Sequence, residues 1–222
     1  MYNKFGQFIN GKWQPSSDKS TYDVINPATE ELIGKASKAT PADVEKSLKS
    51  AEKGFEVWKN TLPWERSNII RKISNLIRER NKVLAKWLTI EVGKPYAEGI
   101  GEVNSAADIF EWNSEETKRI YGQTVESRFE ETRIHVYYQP IGVVAAMSPW
   151  NFPLVLSGRK ISTALAAGCS VIIKPDVIAP GGTMELVDIC REAGVPPGVV
   201  NLLSGDPPSI ASQLISSDII KK

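Results

Sequence analysis

The chain has 222 residues, 41% hydrophobic and 24% charged, with a formal net charge of +1. That length can bury a good core in one large domain or slightly more, and a near-neutral charge leaves no basic excess for a nucleic-acid partner. Two cysteines without metal spacing and a single histidine argue against a disulfide framework or a metal site; no apolar run approaches the roughly 20 residues of a membrane span and no leader-like start is visible, so a cytoplasmic setting is expected.

Residues 8–13, Phe-Ile-Asn-Gly-Lys-Trp, predict two short strands around an Asn-Gly turn, and residues 24–29 with 32–36 predict a second strand pair. Thr40 is a candidate N-cap, with Pro41 at the first helical position and Asp43 in the first turn. Val44, Leu48, Ala51, Phe55 and Trp58 then recur at helical spacing. Ile69, Ile70, Ile73, Leu76 and Ile77 make a second stripe, and Val83, Leu84, Trp87 and Leu88 a third, before Gly93 and Pro95 interrupt. A long helix is expected over 97–121, with Ile100, Val103, Ala107, Phe110 and Trp112 among its apolar positions. At Thr132 the period changes: 133–139 alternates like a strand, and 122–131 offers a hairpin partner. These breaks divide the chain into an arm and helical part (1–121), a hairpin (122–140) and a βαβ part (141–222).

The βαβ part organises the rest. Residues 142–147 form an apolar run suited to a buried strand, and Ser148-Pro149-Trp150-Asn151-Phe152-Pro153 is a turn with a proline at each shoulder. Residues 154–167 suit a helix closed by Gly168, and 170–173 a second buried strand. Strand, turn, helix and strand in about 32 residues match one βαβ crossover. Ligands in such units gather beyond the carboxyl ends of the strands, where Trp150, Asn151 and Lys174 fall. The theme repeats: a helix over 183–193 closed by Gly194, a third strand at 199–203, a turn at 204–208, a short helix at 209–215, and the start of a fourth strand at 218–220.

Pro149-Trp150-Asn151-Phe152-Pro153, then Arg159-Lys160, then Ala164-Leu165-Ala166-Ala167-Gly168, then Lys174-Pro175 resemble, in order and spacing, the cofactor domain of the aldehyde dehydrogenase superfamily. Asn10-Gly11-Lys12-Trp13 and Asn26-Pro27-Ala28-Thr29 are similar to words in that family's N-terminal arm. The resemblance covers nearly the whole chain but only about the first half of the family's length. It implies an α/β fold, a Rossmann-like parallel sheet with flanking helices, and a β-hairpin that pairs with other subunits in a homo-oligomer. It also implies NAD- or NADP-dependent oxidation of a small aldehyde to its acid through a thioester. Arg159-Lys160, Glu111-Trp112 and residues 118–122 resemble the succinate-semialdehyde dehydrogenases, in which the arginine is associated with the substrate's carboxylate.

The resemblance gives each candidate residue a role. Asn151, an amide held in a proline-flanked turn, is the oxyanion donor, an effect worth roughly 3 kcal/mol in enzymes that use one. Lys174 reaches ribose hydroxyls or phosphate; Ser148, Trp150, Asp176 and Val177 border the cofactor. An Asn that only stabilises its own turn, or a solvated strand-end lysine, are the plainer alternatives. Family members specific for NAD often carry Glu where Val177 stands, so NADP tolerance is a slight preference, opposed by the nearby carboxylate of Asp176. The Gly205 turn lacks a second glycine and carries Pro207, which makes it a poor anion cradle. Cys169 and Cys190 suit small core residues, and Glu91 suits a helix end, so the thiol nucleophile and hydrolytic base are expected elsewhere and the 222 residues alone to be inactive. A nucleotide-binding or subunit-interaction module is the alternative function. The enzyme reading needs an open Asn151 amide and a cleft that reaches Lys174.

Overall fold

A computed structural model describes residues 2–222. The first hairpin, β1 (Gln7–Ile9) and β2 (Lys12–Gln14), turns at Asn10 and Gly11, both at positive φ (52° and 76°), as a two-residue turn matched to strand twist requires. A second antiparallel pair follows, β3 (Thr21–Ile25) and β4 (Leu32–Ser37). Four helices come next: α1 (Pro41–Lys59), α2 (Pro63–Glu79), α3 (Asn81–Val92) and α4 (Tyr96–Thr117). At the start of α1, Thr40 and Asp43 form a reciprocal capping box, as their spacing predicts.

The parallel core is built from β7 (Val143–Met147), α5 (Pro153–Ala166), β8 (Ser170–Lys174), α6 (Gly181–Ala193), β9 (Val200–Leu202) and α7 (Pro207–Ile215). Strands β7, β8 and β9 pair in parallel, and β1 joins antiparallel through Phe8 opposite Leu202, giving the order β2-β1-β9-β8-β7. The fourth strand expected at 218–220 contributes a single parallel bridge, Val143 to Ile220. It is extended by backbone bonds from Lys221 N to Val143 O (2.9 Å) and from Ala145 N to Lys222 O (2.9 Å). The C-terminal residues therefore run along the side of β7 away from β8, and the order of crossover reverses at β7. Such a reversal opens a crevice at the carboxyl ends of the strands.

The alternation of side chains along β8 shows why its centre, Val171 to Ile173, is apolar at every position. Val171 and Ile173 pack toward α5 and α6, while Ile172 packs with Val44, Leu48, Ile210 and Leu214 on the other face, beneath α1 and α7. A strand covered on both faces has no polar side. Trp58 is fully buried and donates its indole N–H to Leu165 O at 2.9 Å, tying α1 to the end of α5.

Three local expectations are corrected. The long helix stops at Thr117, not Tyr121, and its Trp112 is 70% exposed, so the apolar stripe of α4 excludes it. Val83, assigned to the third stripe, is likewise exposed. The strand expected over 133–139 is only β6 (Arg133–Val136); it pairs with β5 (Gln123–Glu126) as a separate two-stranded sheet with every strand residue exposed.

Candidate functional site

The carboxyl end of β7 runs directly into the turn at 148–153, and Pro153 occupies the first position of α5, where its missing N–H costs nothing. Asn151 is exposed, and its side-chain amide has no hydrogen-bond partner among the described residues. Trp150 beside it is 47% exposed. Ser148 is buried; its hydroxyl lies 2.7 Å from Ser157 Oγ, which in turn lies 2.9 Å from Thr183 Oγ1, so it is spent on joining β7 to α5 and α6.

Lys174 closes β8 one strand away. It is 5% exposed, its Nζ donates to Pro175 O at 2.9 Å, and it forms no ion pair among the described residues. Burial lowers its pKa, opposed by the negative charges of Asp176 and Asp206 nearby. An ammonium carries three donors, so two remain for an acceptor such as a ribose hydroxyl or a phosphate oxygen. Asp176 is half-buried and accepts from Ile178 N at 3.1 Å, a local turn that leaves its second oxygen open. Val177, also half-buried, offers no hydrogen-bonding side chain there. Tyr22, brought from β3, places its hydroxyl 2.6 Å from Ser204 Oγ at the end of β9; burial, with Asp176 adding to it, pushes its pKa up to about 12.

Arg159 lies seven positions into α5, exposed, with no ion pair among the described residues. It lines a cavity of about 600 Å³ shared with Lys94, Glu98, Glu102, Phe152 and Val155. It also borders a second, more apolar cavity of about 660 Å³ with Val144, Met147, Lys160 and Ala164. Neither cavity is lined by Asn151 or Lys174. The required open amide is therefore present, whereas neither cavity beside the turn extends to Lys174.

Three carboxylates, of which the sequence singled out only Glu91, fill the helix N-termini at this edge. Glu102 of α4 accepts from Leu154 N (2.9 Å) and Val155 N (3.3 Å) in the first turn of α5. Glu91 of α3 accepts from Gly181 N (2.8 and 3.1 Å) and Gly182 N (3.2 Å) at α6, so it does serve a helix end, but that of another helix. Asp206 caps α7 by accepting from Ser209 N at 3.1 Å, with Pro207 and Pro208 following. Gly205 has φ +142°, and a Cβ there would lie 2.8 Å from Ala39 N, so its glycine serves a close backbone approach. No sequence signal links Glu91 or Glu102 to amides 52 to 91 residues away.

A sequence profile described as Aldehyde dehydrogenase family matches residues 13–222. Glutarate-semialdehyde dehydrogenase of Pseudomonas aeruginosa is 39% identical over 215 residues, covering 97% of this chain and 44% of that protein. Succinate-semialdehyde dehydrogenase, NADP(+), of Escherichia coli is 37% identical over 214 residues, covering 96% of this chain and 44% of that protein. A crystal structure of succinate-semialdehyde dehydrogenase from Burkholderia pseudomallei superposes with a TM-score of 0.96 at 37% identity, covering 98% of this chain and 45% of that one. The chain thus spans less than half the length of the relatives it matches.

Proposed function

The chain belongs to the aldehyde dehydrogenase family, and from that premise we propose that it supplies the oxyanion donor and part of the cofactor site for NAD(P)-dependent oxidation of a carboxylated aldehyde, such as succinate semialdehyde or its one-carbon-longer homologue. The observation that carries the substrate class is Arg159: a guanidinium in no ion pair among the described residues, on the helix that begins at the Asn151 turn. Six residues separate it from Pro153, about 9 Å of helix axis, a span that a short dicarboxylic semialdehyde and its hydrogen bonds bridge. Arg159 then forks onto the carboxylate while the Asn151 amide donates to the oxygen that becomes negative at the aldehyde carbon. Lys174 directs its spare donors at the ribose hydroxyls or a phosphate. The nicotinamide, when bound, supplies the hydride acceptor. With no carboxylate at position 177, NADP as well as NAD is admitted, in line with the NADP(+) in the name of the Escherichia coli relative.

Neither cysteine suits attack on the aldehyde. Cys190 is fully buried and burial pushes its thiol up to about 12; Cys169 is 3% exposed. A nucleophilic thiolate needs a positive and partly open setting, so the attacking thiol and the hydrolytic base come from outside these residues. The β5–β6 hairpin, with Val125, Ile134 and Val136 exposed, serves as the surface for a second subunit in a homo-oligomer.

Two measurements test this on the chain itself. Calorimetry should show NADP or NAD binding that Lys174→Met weakens tenfold or more; undetectable heat with both nucleotides removes the cofactor role. Saturation-transfer NMR should show succinate contacting the chain and losing contact in Arg159→Met; an unchanged signal removes the substrate assignment. Reduction of NAD(P) by the chain alone with succinate semialdehyde would show that it holds its own nucleophile.

A further inference from the structure

The turn that carries Asn151 has little of its own to hold it. Pro149 and Pro153 cannot donate backbone hydrogen bonds, Phe152 at the N-cap of α5 makes no capping bond, and the Asn151 side chain makes none either. Its two ends are bonded, Ser148 to Lys174 O and to Ser157, and Pro153 O accepting from the Thr183 hydroxyl, and around Asn151 itself two residues from outside the turn take hold. Lys94, on the loop between α3 and α4 where Gly93 ends α3 at φ 73°, is bonded to Glu102, and their side chains are 9% and 1% exposed. Lys94 Nζ also donates to Asn151 O at 3.1 Å and lies 3.8 Å from the centre of the Phe152 ring. Glu102 grips the other end of the turn through the amides of Leu154 and Val155.

We propose that Lys94 and Glu102 are positioning residues for the Asn151 amide: a buried ion pair that clamps the turn before and after Pro153 and so sets where that amide points. This rests on the oxyanion role given to Asn151. Taking two charges out of water costs about as much as their attraction returns, so such a pair is a weak source of stability, and a single fixed geometry is what it offers instead. The pair also bears on the charge of the cavity next to the turn, which Glu98 and Asp108 line as well. Lys94 and Arg159 are the two cations lining it; with Lys94 held by Glu102, Arg159 is the one in no ion pair among the described residues.

The test is made on the whole chain without nucleotide, so its outcome does not depend on whether the chain binds NAD(P). Amide exchange is followed at Leu154 and Val155 and, as a reference, at Val171 to Ile173 of β8, together with the side-chain amide signal of Asn151. In Lys94→Met, exchange at Leu154 and Val155 should rise tenfold or more and the Asn151 signal should broaden, with β8 unchanged. Lys94→Arg, which can donate to both oxygens, should restore both. The Lys94→Met/Glu102→Gln double variant removes the buried charge pair while leaving an acceptor for α5; it should keep the urea midpoint within the range of the single variants and keep the turn loose. Unchanged exchange at 154–155 in Lys94→Met, or a rise shared equally by β8, would overturn the proposal and leave the pair with a general structural role. If the turn loosens as expected but the chain binds neither nucleotide nor succinate, it is the cofactor and substrate assignments of the proposed function that fail, not the clamp.

Discussion

Replacing Glu91 by Gln should remove most of a pH dependence of stability that this one carboxyl imposes. Glu91 is fully buried against the first amides of α6, with the Tyr2 hydroxyl donating to it from the N-terminal arm. Burial pushes its pKa from 4.5 up to about 8, although the Gly181 and Gly182 amides pull the other way. The folded state therefore holds a proton that the unfolded chain gives up near pH 4.5. Its contribution to stability is fully present below the unfolded pKa and is lost as pH rises through about 8. A tenfold change in proton affinity corresponds to about 1.4 kcal/mol, so the loss has a ceiling on the order of 5 kcal/mol. Asp43 and Asp188, whose pKa values the fold lowers against burial, lose their contribution only at pH below the carboxylate range and leave this window clear. Gln cannot titrate but keeps an oxygen for the glycine amides. Urea midpoints at half-unit steps from about pH 5 to 8.5 should fall for the native chain and stay nearly level for Glu91→Gln, so that the gap between them shifts in favour of the variant by several kcal/mol at the alkaline end. Parallel curves would show that Glu91 is ionised throughout and that helix amides outweigh burial.

Gly54→Ala should be among the most destabilising single changes, since a Cβ would lie 2.2 Å from Gly198 C and 2.4 Å from Gly198 O, forcing α1 from β9; a loss of about 3 kcal/mol or more in thermal melts is expected, and a melt near native would show that the turn yields. A disulfide-exchange reagent should find no reactive thiol in the native chain and two after denaturation, because both cysteines are buried. Asp206→Asn keeps the α7 cap but removes a negative charge felt by Lys174; it should tighten NADP binding several-fold by calorimetry, whereas weaker binding would place Asp206 among the ligand's own contacts.

Elements with a local cause were legible in the sequence. The Asn10-Gly11 hairpin, the Thr40 capping box and the three parallel strands each follow from residues within about five positions of one another, because turn chemistry, caps and strand burial are short-range. What the sequence did not show depends on partners far away. Trp112 satisfies helical spacing on α4, yet it faces solvent because α2, α3 and α5 already cover the other sides of that helix. The alternation at 133–139 suggested a half-buried strand, but no second layer packs on the hairpin among the described residues, so alternation there buries neither face. The sequence placed Asn151 just beyond β7 and Lys174 at the end of β8, and the structure has both at the carboxyl ends of these adjacent parallel strands. The partners of Glu91, Glu102 and Lys94 were not legible, since a glutamate inside a helix looks the same in sequence whether it meets water or another helix's amides.

Those carboxylates bear on how the proposed dinucleotide would be held. In many nucleotide-binding α/β folds a phosphate rests on the first amides of a helix. In this chain that place is taken three times over: by Glu102 at α5, by Glu91 at α6, and by Asp206 with two prolines at α7. An approaching phosphate would find those amides already bonded to carboxyl oxygens, Glu102 in an ion pair with Lys94 and Glu91 holding its proton up to about pH 8. The helix termini are thus committed to fixing α5, α6 and α7 in place, which leaves the ribose as the part of a dinucleotide for a side chain to hold. Lys174 is the one that fits: buried at a strand end, bonded only to the neighbouring carbonyl, and without a partner carboxylate in ion-pair range among the described residues. A cofactor held by a lysine and not by a helix terminus has its diphosphate less tightly fixed than its ribose, so the affinity lost in Lys174→Met should depend on the ribose hydroxyls more than on the number of phosphates. Calorimetry with NAD, AMP and adenosine checks this: similar losses for all three are expected, and a loss confined to the diphosphate-bearing ligand would return the phosphates to the centre of recognition.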